Sequence, residues 1–225
     1  MILALETSTK NCSVALLKDQ DLVQLIEAQS DQYIHSEKLH LFIAEALKKA
    51  AIKPDQLEAI AVGSGPGSYT GLRIGVASAK ALAYSLSIPL ISAKGTELLV
   101  AAALESQEFH DDAILHPMID ARRMEVYTAT YNLAKGQWTK VEAKVLEEGA
   151  YSDAGQHYFF GDGAPKAQQL LASERHHFLN IPFPSAANFK QLASQKMEAQ
   201  AFEDVAYFEP FYLKEFAAQK PKSVF

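Results

Sequence analysis

A chain of 225 residues is long enough to bury a sizeable core, in one large domain or two small ones. A formal net charge of −6 argues against a free-standing nucleic-acid binder, because phosphate contacts need concentrated Lys and Arg. A single cysteine, Cys12, excludes an internal disulfide framework, and the N-terminal Met1-Ile2-Leu3-Ala4-Leu5-Glu6 has no basic leader. No apolar run is long enough to span a bilayer, so a soluble cytoplasmic protein with no membrane partner is expected.

Residues 2–5, 13–17 and 22–28 are apolar runs, the last two separated by the turn-prone Lys18-Asp19-Gln20-Asp21. They predict an antiparallel meander whose first hairpin loop presents hydroxyls. Thr7, Ser8, Thr9 and Ser13 have the chemistry to contact a phosphate, and a hydroxyl-rich hairpin without a ligand reads the same way. Ser36 is the expected cap of a helix over 36–50, on which Leu39, Phe42, Ile43, Ala46, Leu47 and Ala50 form one apolar stripe. Leu41 lies off that stripe and hints at a second contact surface.

The densest signal is Val62-Gly63-Ser64-Gly65-Pro66-Gly67-Ser68-Tyr69-Thr70-Gly71-Leu72-Arg73-Ile74-Gly75, which holds five of the chain's eleven glycines. An apolar run leads in and an alanine-rich run, 76–86, leads out, so strand, glycine turn and helix start are predicted. Glycines accept positive φ and let another group approach the backbone, and a helix start offers free N–H groups to an anion. Gly63, Gly65, Gly67, Ser68, Thr70 and Gly71 are therefore candidate phosphate contacts, against the plainer reading of a tight corner with no ligand. Three named motifs fail here. Gly71 is followed by Leu72-Arg73 rather than Lys-Ser/Thr, Ser68 stands where a dinucleotide fingerprint needs its third glycine, and neither Ser64 nor Ser68 sits in Gly-x-Ser-x-Gly. Gly71, Gly75, Ala79 and Ala83 recur at four-residue steps, a small-residue stripe that favours close packing within the same core.

A strand at 89–92 and a helix at 96–105 complete the first half, and the polar stretch 105–112 reads as a crossing. Beyond it, 114–119 predicts a strand ending at Asp120-Ala121-Arg122-Arg123. Two β-rich runs follow, 125–133 and 138–147, joined through Gly136. Residues 158–160 form a buried strand into Gly161-Asp162-Gly163, and Pro165 opens a helix to 171. A helix is expected over 194–202, and the tail 219–225 is expected to be loosely held. A hairpin-first sheet wrapped by helices and repeated in degenerate form is how the actin, Hsp70 and sugar-kinase folds begin.

At four places the sequence resembles the bacterial TsaB (YeaZ) family. These are Leu3-Ala4-Leu5-Glu6-Thr7-Ser8-Thr9 with Cys12-Ser13-Val14-Ala15-Leu16, the segment from Gly65 to Gly75, Asp120-Ala121-Arg122-Arg123-Met124-Glu125-Val126-Tyr127, and Glu209-Pro210-Phe211-Tyr212-Leu213-Lys214. The resemblance implies an α/β, actin-like ATPase (ASKHA, RNase H-like) fold of two sub-domains with mixed sheets. They would divide at 1–105 and 106–225, with the second reduced. It further implies a non-catalytic relative of TsaD that supports threonylcarbamoylation of the adenosine beside the anticodon in tRNAs reading codons that begin with A. TsaD would form a heterodimer with it and TsaE would join a ternary complex. The chain alone would form a homodimer, and tRNA would be met through the complex. The interface would use helices 36–50 and 71–86, with Leu41, Arg73, Ala77, Lys80 and Tyr84 as its expected residues.

TsaD holds its metal with a His-x-x-x-His pair; here Gly95 and Leu99 stand at those positions, and neither side chain can ligate a metal. Among the seven histidines, His35 and His40 are five apart and His176 and His177 adjacent, so no metal site is expected. Two departures from the family bear on chemistry. Glu6 stands where Asp is usual, and Thr7-Ser8-Thr9-Lys10-Asn11 is a first loop without glycine, whose side chains would crowd a phosphate. Both argue against independent ATP hydrolysis, so no cofactor of its own is expected, with a nucleotide at the partner interface left open. Asp120 and Arg122 are expected to form an ion pair bracing the junction, with Glu209 and Tyr212 as structural residues. The alternative is an active actin-fold enzyme, an ATP-dependent phosphotransferase or a peptidase. A direct tRNA-binding module is disfavoured by the acidic balance.

Overall fold

The computed structural model describes residues 1–30, 34–171 and 173–214; the tail at 219–225 lies outside them. β1 (Ile2–Glu6), β2 (Asn11–Lys18) and β3 (Asp21–Gln29) form the expected antiparallel meander. After α1 (His35–Lys49), β4 (Ala59–Gly65) returns parallel to β1. α2 (Tyr69–Leu86) then leads to β5 (Leu90–Lys94), parallel to β4, giving the order β3-β2-β1-β4-β5.

Side chains alternate across the strands, so β1 feeds two cores at once. Leu3 and Leu5 meet Leu39, Ile43 and Ala46 of α1 and Val76, Ala79 and Ala83 of α2. Ile2 and Ala4 face the opposite layer, with Phe189 and Ala193. α3 (Gly95–Ser106) joins the halves: Leu98 packs on the first sheet, while Leu99, Val100 and Ala103 pack on the second.

The second sheet repeats the topology of the first. β6 (Ala113–Asp120) pairs antiparallel with β7 (Glu125–Thr128), as β1 does with β2. The short β8 (Tyr131–Asn132) and β9 (Gln137–Trp138) form a side hairpin, and β10 (Glu142–Val145) lies antiparallel on β7. β11 (Gln156–Phe160), α4 (Ala164–Gln168) and β12 (His176–Phe178) follow, with β11 parallel to β6 and β12 parallel to β11. The order β10-β7-β6-β11-β12 therefore matches β3-β2-β1-β4-β5 strand for strand. No helix is described between β10 and β11, where α1 stands in the first half, and α4 is far shorter than α2. This is the actin-like, RNase H-like architecture with a reduced second half.

Several expectations are corrected in detail. Ser36 does not cap α1: it lies in the first turn, and Ile34 occupies the cap with no side-chain bond. The capping hydroxyl is Ser68, which accepts from Gly71 N–H at 3.3 Å and starts α2. The run 125–133 splits into β7 and β8 because its ends pair with opposite ends of β6. The late helix, α5 (Lys190–Glu198), starts earlier than expected.

The sub-domain boundary also differs, because the C-terminal segment returns to the first sheet rather than staying with 106–183. Asn11 Nδ2 donates to Pro184 O at 3.2 Å, Ala186 N–H to Ser13 Oγ at 2.8 Å and Glu203 N–H to Leu90 O at 2.8 Å. These bonds, with Phe189 and Ala193 in the core, cover a face of the first sheet that would otherwise expose apolar side chains.

Candidate functional site

β1 ends at Glu6, and the loop after it turns inward. Glu6, Thr7, Ser8 and Thr9 are all buried, although three are hydroxyl residues in a hairpin loop. The glycine segment makes room for them. A Cβ at Gly67 would stand 2.1 Å from Ser8 O, one at Gly71 2.1 Å from Thr7 O, and one at Gly75 2.2 Å from Thr7 Oγ1. At Gly63 it would stand 1.8 Å from Glu6 Oε2. Backbone bonds close the contact: Ser68 N–H donates to Ser8 O at 2.6 Å, and Thr7 Oγ1 donates to Gly71 O at 2.8 Å. The glycines thus let a second strand of backbone approach. What approaches is the chain's own first loop, so Glu6, Thr7 and Ser8 are brought together with Gly63, Gly67 and Gly71 but face them, while Gly65 and Thr70 lie apart.

The same contacts explain the small-residue stripe on α2. Gly71 and Gly75 lie over Thr7, and Ala79 and Ala83 lie in the core beside Leu3 and Leu5. The stripe serves the core, and the opposite face of α2 is left outward.

Glu6 Oε1 accepts from Ser8 N–H at 2.5 Å, while Oε2, wedged against Gly63, has no hydrogen-bond partner among the described residues. Burial raises the Glu6 pKa, against Ser8 and Thr7 groups that favour the ionised form. Cys12, one strand across, is pushed up to about 12 by burial and by Glu6, which leaves it an inert thiol. His35 Nε2 lies 2.8 Å from Thr9 O and fastens α1 to the loop.

Gly65, at φ +107°, sits under a strap formed by the C-terminal segment. Phe211 N–H donates to Ser64 O at 2.8 Å, Tyr212 stacks on Tyr69 with ring centroids 4.8 Å apart, and Lys214 pairs with Glu125. Tyr212 is thus part of the strap; Glu209 is exposed, and its side chain has no hydrogen bond or ion pair among the described residues. The expected Asp120–Arg122 ion pair is absent. Asp120 Oδ1 instead accepts the Arg122 backbone N–H at 2.5 Å and pairs with Lys166 at 2.8 Å, and Arg122 is exposed. Asp162, which accepts Asp120 N–H, is pushed up to about 6 by burial.

Of the expected interface residues, Leu41, Arg73, Ala77 and Tyr84 are exposed, with Leu41 at 60% and Tyr84 at 80%. Arg73 lies over the Tyr69 ring at 4.1 Å. Lys80 is half-buried and committed internally: its Nζ donates to Ala206 O at 3.1 Å and Phe208 O at 2.8 Å. Thr70 is exposed at the start of α2. Gly95 and Leu99 open α3, Leu99 fully buried, and no group of three metal-ligating side chains is found among the described residues. Likewise, no described helix is long and apolar enough to cross a membrane.

A buried histidine pair leaves no pattern in the sequence. His116 of β6 and His157 of β11 stack at 5.2 Å, with His116 Nε2 2.9 Å from His157 Nδ1. They lie 41 residues apart, and only the parallel pairing of β6 and β11 brings them together.

The model of the family of tRNA N6-adenosine threonylcarbamoyltransferase, TsaD, matches residues 29–225. The chain belongs to this family, among its TsaB (YeaZ) members. The Bacillus subtilis tRNA threonylcarbamoyladenosine biosynthesis protein TsaB is 37% identical over 138 residues, 60% of this chain. That match spans 56% of the B. subtilis protein, about half the relative's length. The Escherichia coli protein of the same name is 28% identical over 97% of this chain and 96% of its own. The crystal structure of YeaZ from Pseudomonas aeruginosa superposes with a TM-score of 0.77 at 25% identity, over 94% of this chain and 99% of that one.

Proposed function

We propose that this chain is a non-catalytic subunit of a cytoplasmic tRNA threonylcarbamoyladenosine system, which binds the transferase TsaD and, with it, TsaE. The observation that carries the reading is the interlock of the first loop with the glycine segment. Ser8 and Thr7 backbone fill the approach to Gly67 and Gly71 that a phosphate cradle would keep open. The names of the B. subtilis and E. coli relatives supply the pathway. The outward face of α2, with Arg73, Ala77 and Tyr84, and the neighbouring Leu41 of α1 supply a surface for TsaD or, in its absence, for a second copy. Any nucleotide would belong to that shared interface rather than to this chain.

The test is reconstitution. The purified remaining components are assayed for threonylcarbamoyladenosine in tRNA with and without this chain, after co-purification with TsaD. A stoichiometric complex whose activity depends on the chain is expected. Equal modification without it, or ATP turnover by the isolated chain, overturns the reading.

A further inference from the structure

The turn after β6 holds the place in the second sheet that the first loop holds in the first, and it is built the opposite way. Arg122 and Arg123 are both left-handed, at φ 67° and φ 51°, where glycine or asparagine is the economical choice. The turn is set without their side chains: Asp120 Oδ1 holds the Arg122 N–H, and Lys166 holds Asp120. Both arginines are exposed, and neither guanidinium has a hydrogen bond or ion pair among the described residues. The carboxylates beside them are already engaged, Asp120 by Lys166 and Glu125 by Lys214. The result is two adjacent planar cations on a braced turn, un-neutralised among the described residues, in a chain whose net charge is −6.

We propose that the Arg122–Arg123 turn is a contact site for the phosphodiester backbone of RNA. Guanidinium forks match phosphate oxygens in pairs, and a turn braced from within leaves only the side chains, not the backbone, to be ordered. The choice of RNA over other phosphates rests on the proposed function, which brings a tRNA to the assembly. Two arginines neutralise only a couple of phosphates, so the contact adds to binding by the complex and is weak and salt-dependent in this chain alone.

The test is fluorescence anisotropy of a labelled anticodon stem-loop RNA with the purified full chain, at about 20 mM and about 200 mM monovalent salt. The wild type is compared with the Arg122→Gly/Arg123→Gly and Arg122→Lys/Arg123→Lys double variants. The glycine variant should bind about tenfold more weakly at low salt, with a logarithmic salt slope shallower by roughly 1.5, and the lysine variant should fall between. The glycine variant should also melt no lower than the wild type, because glycine suits the left-handed turn and no internal bond is lost. Equal RNA binding by wild type and glycine variant overturns the proposal, as does no wild-type binding at low salt. Complete competition by ATP or by polyglutamate, at charge-matched concentrations, overturns it in favour of a nucleotide or an acidic protein. The reconstitution assay separates the two readings. Modification that needs the chain, with RNA binding untouched by the variants, removes this inference alone. Modification indifferent to the chain removes the proposed function and leaves an arginine-dependent RNA contact standing.

Discussion

The two sheets share one strand order but bury their polar groups by different means. In the first, Glu6, Thr7, Ser8 and Thr9 are folded inward, and most of their partners are backbone: Ser68 N–H, Gly71 C=O and the glycine surfaces beneath them. In the second, the corresponding turn exposes its arginines, and the buried polar groups include His116 and His157, bonded to each other. Backbone partners cannot titrate, but they tolerate no added volume. Side-chain partners tolerate neighbours but answer to pH. The first half should therefore fail by crowding and the second by protonation.

The largest effect is expected from Gly67→Val. A Cβ there meets Ser8 O and Ser8 C at 2.1 and 2.9 Å, and both are backbone atoms with nowhere to retreat. A loss of more than about 4 kcal/mol is expected, enough to abolish cooperative folding of the first half. Urea denaturation followed by circular dichroism would measure it. Gly136→Ala is the control: nothing lies within 4 Å of its Cβ, and only the left-handed φ of 61° is penalised, at about 1 kcal/mol. Similar losses at the two positions would mean that the interlock is loose and the contrast between the halves is not real.

His157→Ala is next. It removes the partner of His116 Nε2 and opens a cavity beside Phe159 and Tyr151, at a cost of about 2–4 kcal/mol. The wild-type pair has a signature of its own. Burial, then the His157, Lys144 and His176 charges, hold His116 well below its ordinary pKa, so the unfolded chain binds the proton first. Stability is then complete above pH 6.5 and falls as pH drops from there towards the folded value. Hydrogen exchange should report it locally, with amides of β6 and β11 losing protection on acidification before those of β1 and β4. His35 is also lowered by burial, so the first half is not immune. Protection lost first in β1 and β4 would reverse the comparison.

Much of this was readable from the residues. Alternating apolar runs marked the meander, and a glycine-dense stretch between an apolar and an alanine-rich run marked the β4–α2 corner. The use of that corner was not readable. A glycine reports that something comes close to the backbone, and only the register of β1 on β4 shows that the visitor is Thr7 and Ser8. The four-residue step through Gly67, Gly71 and Gly75 was the available clue, since a row of absent side chains suits a neighbouring chain better than a single phosphate. β12 carries two histidines and a phenylalanine in three residues, too short for any period to show. The return of 184–211 to the first sheet depends on single long-range bonds such as Asn11 to Pro184, which leave no local pattern.

The smallest expected effect is the most informative about the first loop. Glu6 has its pKa raised by burial, so the stability it contributes is full below its ordinary value of 4.5 and is lost as pH rises through the folded value. Glu6→Gln keeps an acceptor for Ser8 N–H but cannot ionise. It should match the wild type at about pH 4 and exceed it by about 1 kcal/mol at neutral pH, flattening the alkaline side of the stability profile. Denaturant midpoints across that range would measure the difference. The opposite sign, a glutamine variant less stable at neutral pH, would mean that ionised Glu6 is favoured by something that reaches Oε2 against Gly63. The inward loop would then not be satisfied by its own chain, and room for a ligand would exist at its closest contact.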